Sequence, residues 1–87
     1  MKINFSLLQF EDLDGNKSKD VQKDVWRAIN LLTLDMELAD IAKSIFKGEE
    51  VELSQQQVEA VKIIIKDERA GFFPLAQREI LTYIDKV

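Results

Sequence analysis

Gly48-Glu49-Glu50-Val51-Glu52-Leu53-Ser54 is the stretch that decides the fold. Gly48 suits the left-handed position that commonly follows a helix C-terminus. If the next residues are extended, Val51 and Leu53 point one way while Glu50 and Glu52 point to water. Ser54-Gln55-Gln56-Gln57 has capping-box form: the Ser hydroxyl reaches the Gln57 backbone N–H and the Gln side chain reaches back. The stretch therefore ends one helix, crosses as a short extended connector, and starts another.

The flanking residues agree. Over 34–47, Leu34, Leu38, Ile41, Ala42 and Ile45 recur at helical spacing, with Thr33 as candidate N-cap. Asp35, Glu37 and Asp40 stand near the positive end of that helix, and Lys43 and Lys47 near the negative end. Over 54–69, Val58, Val61, Ile64 and Ile65 form a core face with Ala60 at its margin. Glu59, Lys62, Lys66 and Arg69 lie opposite. Ile63 sits roughly 150° from the core-face centre.

Outward from this hairpin, Ile3, Phe5 and Leu7 alternate with Asn4 and Ser6, which predicts a strand. Leu8 and Phe10 fall on its other face, so either the strand bulges near Leu7 and Leu8 or a helix or partner covers that face. A strand needs a pairing edge. Val51–Leu53 is one candidate, and the same strand of a second subunit is another.

Asp14-Gly15 predicts a tight turn. Asp12, Asp14 and Asn16 resemble the odd positions of a calcium loop, but Lys17 and Lys23 stand where that loop needs Gly and Glu. A helix is predicted over 19–32, with Val21, Val25, Ala28, Ile29 and Leu32 as its stripe. Trp26 projects roughly 100° off the stripe. It either packs under the N-terminal strand or a loop, or anchors a partner. In Gly71-Phe72-Phe73-Pro74, Gly71 ends a helix and Pro74 starts one. The adjacent phenylalanines point apart, one toward the core and one outward. The last helix, from 74 to about 86, presents Ala76, Ile80, Tyr83, Ile84 and Val87 together. The expected architecture is α+β and mostly helical: one N-terminal strand, four helices, and a central helical hairpin with a short extended connector.

Composition narrows function. The 87 residues suit one small domain, and 46% hydrophobic with 32% charged residues is ordinary globular material. A domain this small leaves a thin stability margin, which keeps oligomerisation open. No Cys and no His are present, which removes thiolate and imidazole metal sites and the commonest general base. No phosphate-binding Gly pattern is present. Glu50 and Glu52 could form a carboxylate pair or a magnesium site, but exposed Glu runs are usually a solvated face. No cofactor, metal or small-molecule substrate is expected.

Net charge is −4. The excess lies in residues 31–60, where Lys43 and Lys47 face Asp35, Glu37, Asp40, Glu49, Glu50, Glu52 and Glu59. That balance argues against phosphate backbones. A DNA-binding regulator is still the alternative, using helices 55–69 and 74–86 with Lys62, Lys66, Arg69 and Arg78. No apolar run approaches a membrane span, and the N-terminus lacks signal-peptide form. A cytoplasmic location is the expectation.

The order of features resembles a class of small proteins encoded by tailed bacteriophages and prophages. Those chains open with a strand and an Asp-Gly turn, here Asp14-Gly15. They continue through helices separated by Gly-Glu-Glu-Val-Glu-Leu-Ser, here Gly48 to Ser54, and close on an aromatic-Pro-Leu step, here Phe73-Pro74-Leu75. The resemblance implies no specific activity and favours virion morphogenesis or host-factor binding over metabolism. The functional expectation is a non-enzymatic protein-interaction or assembly module that binds a protein partner or a second copy of itself. Its candidate contacts are Trp26, Ile63, Phe73, Glu50 and Glu52, with apolar material beyond one core face also at Leu8, Phe10, Leu75 and Leu81.

Overall fold

The computed structural model describes residues 1–11, 14–18 and 20–87. Its elements are β1 (Lys2–Ile3), α1 (Val21–Leu32), α2 (Met36–Phe46), β2 (Val51–Glu52), α3 (Gln55–Lys66) and α4 (Pro74–Lys86), with 3-10 turns at Phe5–Leu7 and Glu68–Ala70. This is the expected mostly helical α+β architecture.

The connector behaves as its alternation predicts. β1 and β2 pair antiparallel, Lys2 opposite Glu52 and Ile3 opposite Val51. The strand thus finds its partner within the chain. Val51 and Leu53 are buried while Glu50 and Glu52 are exposed. Gly48 takes φ +82° after α2. Both halves of the capping box form: Gln57 N–H donates to Ser54 Oγ at 3.2 Å, and Ser54 N–H donates to Gln57 Oε1 at 2.9 Å.

The N-terminal strand is shorter than predicted. Asn4 breaks it, because its side-chain oxygen accepts from Ser6 N–H at 3.0 Å and winds Phe5–Leu7 into a 3-10 turn. The Ser6 hydroxyl is 2.6 Å from that same oxygen and 3.1 Å from the Gly48 carbonyl, and it can donate to either. Phe5 is buried, but Leu7, expected beside it, is 72% exposed. Asp14 and Gly15 make the predicted turn, Gly15 at φ +80°. Glu11 bridges Lys17 across it. The Asp12 position of the rejected calcium loop lies outside the described residues. The first helix runs from Val21, and position 19, its expected start, lies outside the described residues. Asp20 sits left-handed at φ 55° and makes no side-chain cap.

The buried side chains form one cluster. α1 contributes Val25, Ala28 and Ile29, α2 Leu38, Ala42 and Ile45, α3 Val58, Val61, Ile64 and Ile65, and α4 Ile80 and Ile84. Ile3 and Phe5 plug one end. Tyr83 tilts against Phe5 at 6.1 Å between ring centroids, and its hydroxyl donates to the Asn4 carbonyl at 2.7 Å. This ties α4 to the N-terminus. Of the paired phenylalanines, Phe72 packs against the core and Phe73 is 80% exposed.

Candidate functional site

The site begins at the linker between α1 and α2. Thr33 was the expected cap of the second helix, with Leu34 in its core face. Instead Asp35 caps it, its carboxylate accepting from Glu37 N–H at 2.9 Å. Thr33 makes the turn before that, its hydroxyl accepting from Asp35 N–H at 3.1 Å. These successive side-chain turns hold 33–35 outside the helix. Leu34 consequently stands wholly in solvent, at 102% of its reference exposure, and Met36, the first helical residue, is also exposed.

Ile63 faces this linker from α3. As its angular position predicts, it is outside the core and 67% exposed. Leu34 and Ile63 both line an open groove of about 460 Å³, with Leu32, Thr33, Asp35, Ala60 and Ile64 completing the lining. Ile64 is buried, and Leu32 and Ala60 are half-buried. The groove therefore has an apolar floor and two exposed apolar banks. One exposed Leu or Ile alone would be ordinary. Two that share a groove make a contiguous apolar patch, the kind of surface that marks a contact site.

Phe73 lies elsewhere. It lines a separate cleft of about 660 Å³ with Phe10, Asp14, Pro74, Leu75, Ala76 and Arg78. Trp26 is engaged inside the chain. It is half-buried, and its ring meets Phe46 at 4.9 Å with a 60° tilt. The Lys23 ammonium sits 5.6 Å from the same Phe46 ring. Trp26 thus closes the seam between α1 and α2, so its off-stripe position has a packing reason. Phe46 lies off the α2 core face, so periodicity does not single it out. Glu50 and Glu52 share a solvent side, and the Glu52 carboxylate is 3.3 Å from the Met1 ammonium. Neither lines the groove or the cleft. The structure therefore brings none of the five predicted contacts into one site. It joins Ile63 to Leu34 instead.

The basic residues of α3 and α4 are largely paired. Lys62 Nζ contacts Asp85 at 2.7 Å and Glu59 at 4.0 Å, and the hydrogen bond to Asp85 raises the Lys62 pKa above its ordinary value. Arg69 grips Asp67 with two side-chain hydrogen bonds, at 3.1 and 2.9 Å. That grip, with the Arg69 N–H, lowers the Asp67 pKa to about 2. Arg78 is 3.8 Å from Glu79. Lys66 is exposed. Three of the four cations that a DNA-binding reading needs are thus turned to carboxylates of the same chain.

Among the described residues, no group of three or more acidic side chains is placed to hold a metal ion. Nor does any buried side-chain nitrogen or oxygen there lack a hydrogen-bond partner. Among the described residues, no helix is long and apolar enough to cross a membrane. The groove offers apolar contact, with the Asp35 carboxylate at its edge.

Comparisons with protein-family models, with curated proteins and with solved structures find no match to this chain, and the likeness to small phage-encoded proteins rests on Asp14-Gly15, Gly48 to Ser54 and Phe73-Pro74-Leu75 alone.

Proposed function

We propose that this chain is a non-enzymatic interaction or assembly module that engages a protein partner, or a second copy of itself, through the groove between Leu34 and Ile63. The observation that carries the reading is the pair of exposed apolar banks over an apolar floor. Burying such a patch is favourable by roughly 25 cal/mol per Å² of apolar surface removed from water. Holding Leu34 in solvent through two side-chain turns is otherwise an unrewarded arrangement. The setting that fits the sequence resemblance is phage assembly or the binding of a host factor. The DNA-binding alternative, through helices 55–69 and 74–86, draws less support, because Lys62, Arg69 and Arg78 already have carboxylate partners.

A photoreactive aromatic residue placed at Ile63 tests this in native cell extract. A discrete cross-linked protein, or a cross-linked dimer, is expected from position 63 and not from the exposed control position Lys86. Cross-linking from Ile63 no stronger than from Lys86 would end the reading.

A further inference from the structure

The charge around the groove names the chemistry of its occupant, and the argument rests on the interaction reading above. Asp35 lines the groove and Glu37 follows it on the first turn of α2. Glu59 is exposed one helical turn before Ile63, on the same side of α3. Lys62 is turned chiefly to Asp85 of α4, at 2.7 Å, and also lies 4.0 Å from Glu59. Asp67, one turn after Ile63, is turned to Arg69. Lys66 is the exposed cation nearest to Ile63 in the α3 sequence. Asp35 is the charged side chain that lines the groove, and with Glu37 and Glu59 it belongs to the segment 31–60 that carries the chain's acidic excess.

This border decides between a second copy and a different protein. A two-fold self-contact is isologous and sets the same patch against itself. Such a contact brings the acidic border of one chain near that of the other, with the exposed Lys66 of each as the nearby cation, and the excess of like charge opposes association. A partner with an apolar stripe flanked by Lys and Arg meets both parts of the surface. We infer that the groove receives a basic amphipathic helix of a protein partner, with apolar residues between Leu34 and Ile63 and cations over Asp35, Glu37 and Glu59. Helix-in-groove recognition of this kind reads apolar anchors at helical spacing.

Two synthetic helices of about 15 residues test the inference, long enough to hold helical structure. One is a Leu/Lys amphipathic sequence and the other its Leu/Glu counterpart. Binding is followed by fluorescence anisotropy of the labelled peptide and by methyl NMR shifts of the full chain. The Leu/Lys peptide is expected to bind at least ~10-fold tighter than the Leu/Glu peptide, a gap of about 1.4 kcal/mol. Its shifts should centre on Leu34 and Ile63, and its affinity should fall as salt rises from about 50 to about 300 mM. Ile63→Ser should abolish binding. Asp35→Asn with Glu59→Gln, which keeps a capping side chain at position 35, should weaken it several-fold. Phe73→Ser should leave it unchanged.

Equal binding of the two peptides, or shifts centred on Phe10 and Phe73, would overturn the inference. So would a dimer by sedimentation that Ile63→Ser dissociates, which makes the occupant a second copy. If neither peptide binds while position 63 still cross-links a protein, the interaction reading stands and the charge inference falls.

Discussion

Replacing Ser54 by Ala removes half of the reciprocal cap that starts α3. The Gln57 N–H then loses its acceptor at 3.2 Å, while the Ser54 N–H keeps the Gln57 Oε1 at 2.9 Å. Loss of such a cap costs about 1 kcal/mol. In a domain of this size that lowers Tm by roughly 4–8 °C. Gln57→Ala should cost more. Gln57 is only 9% exposed, so the change removes a hydrogen bond worth about 1 kcal/mol and a buried methylene worth about 0.8 kcal/mol. The two bonds hold one another's geometry, so the double variant should fall short of additivity by about 0.5 kcal/mol. Ser54→Asp should stay near the parent, because Asp caps as well as Ser and suits the helix N-terminus. Thermal melts followed by helical circular dichroism, with urea titrations for the cycle, read all four values. A Ser54→Ala shift below about 1 °C would refute the reasoning, since a cap that costs about 1 kcal/mol to lose must move Tm by more than that.

Other consequences are as direct. Gly48→Ala should destabilise by roughly 1–2 kcal/mol, because φ is +82°, while the new Cβ would make only ordinary contact with Ser6 Cβ at 3.4 Å; chemical denaturation measures it. Tyr83→Phe should cost about 1 kcal/mol through loss of the bond to the Asn4 carbonyl, again read by denaturation. The Asp67 carboxyl, held at about 2 by Arg69, contributes stability that is complete above its ordinary value of 3.8 and is lost as pH falls through about 2. Asp67→Asn should therefore flatten the stability curve between those values in acid titration melts. An Asp67→Asn curve parallel to the parent's there would contradict the pairing.

Much of the fold is legible in the sequence because its signals are local and mutually consistent. The Ser54–Gln57 box, Gly48, the alternation of Val51 with Glu52 and the step from Gly71 to Pro74 all act within a few residues of themselves. Departures arise where two local signals compete. At the N-terminus, alternation favours a strand, but the Asn4 side chain offers Ser6 a nearer acceptor and the chain turns. At 33–35, Thr33 is the cap candidate, Asp35 enters only through its charge, and periodicity alone assigns Leu34 to the core face. Asp35 takes the cap, so Leu34 leaves the core and becomes a bank of the groove.

The candidate site was half legible for the same reason. The position of Ile63 follows from 3.6-residue periodicity. Its neighbour across the groove depends on which residue caps α2. Asp35 itself carries the signal that could have found it, since Asp is a stronger N-cap than Thr and its carboxylate accepts the Glu37 backbone N–H. Trp26 and Phe46 meet across two helices with no sequence rule linking them. The basic residues of α3 look available in sequence, yet Lys62 finds Asp85, 23 positions on, only once α4 folds back.

The central claim is that Leu34 and Ile63 are two banks of one contact surface. It is tested most directly by the yield of cross-linking from position 63 in a Leu34→Ser background. Leu34 is fully exposed, so the substitution should change stability by no more than about 0.5 kcal/mol. The account predicts a cross-linking yield reduced about 10-fold, equivalent to about 1.4 kcal/mol of lost contact, with Tm unchanged. An undiminished yield from position 63 in the Leu34→Ser chain would contradict it.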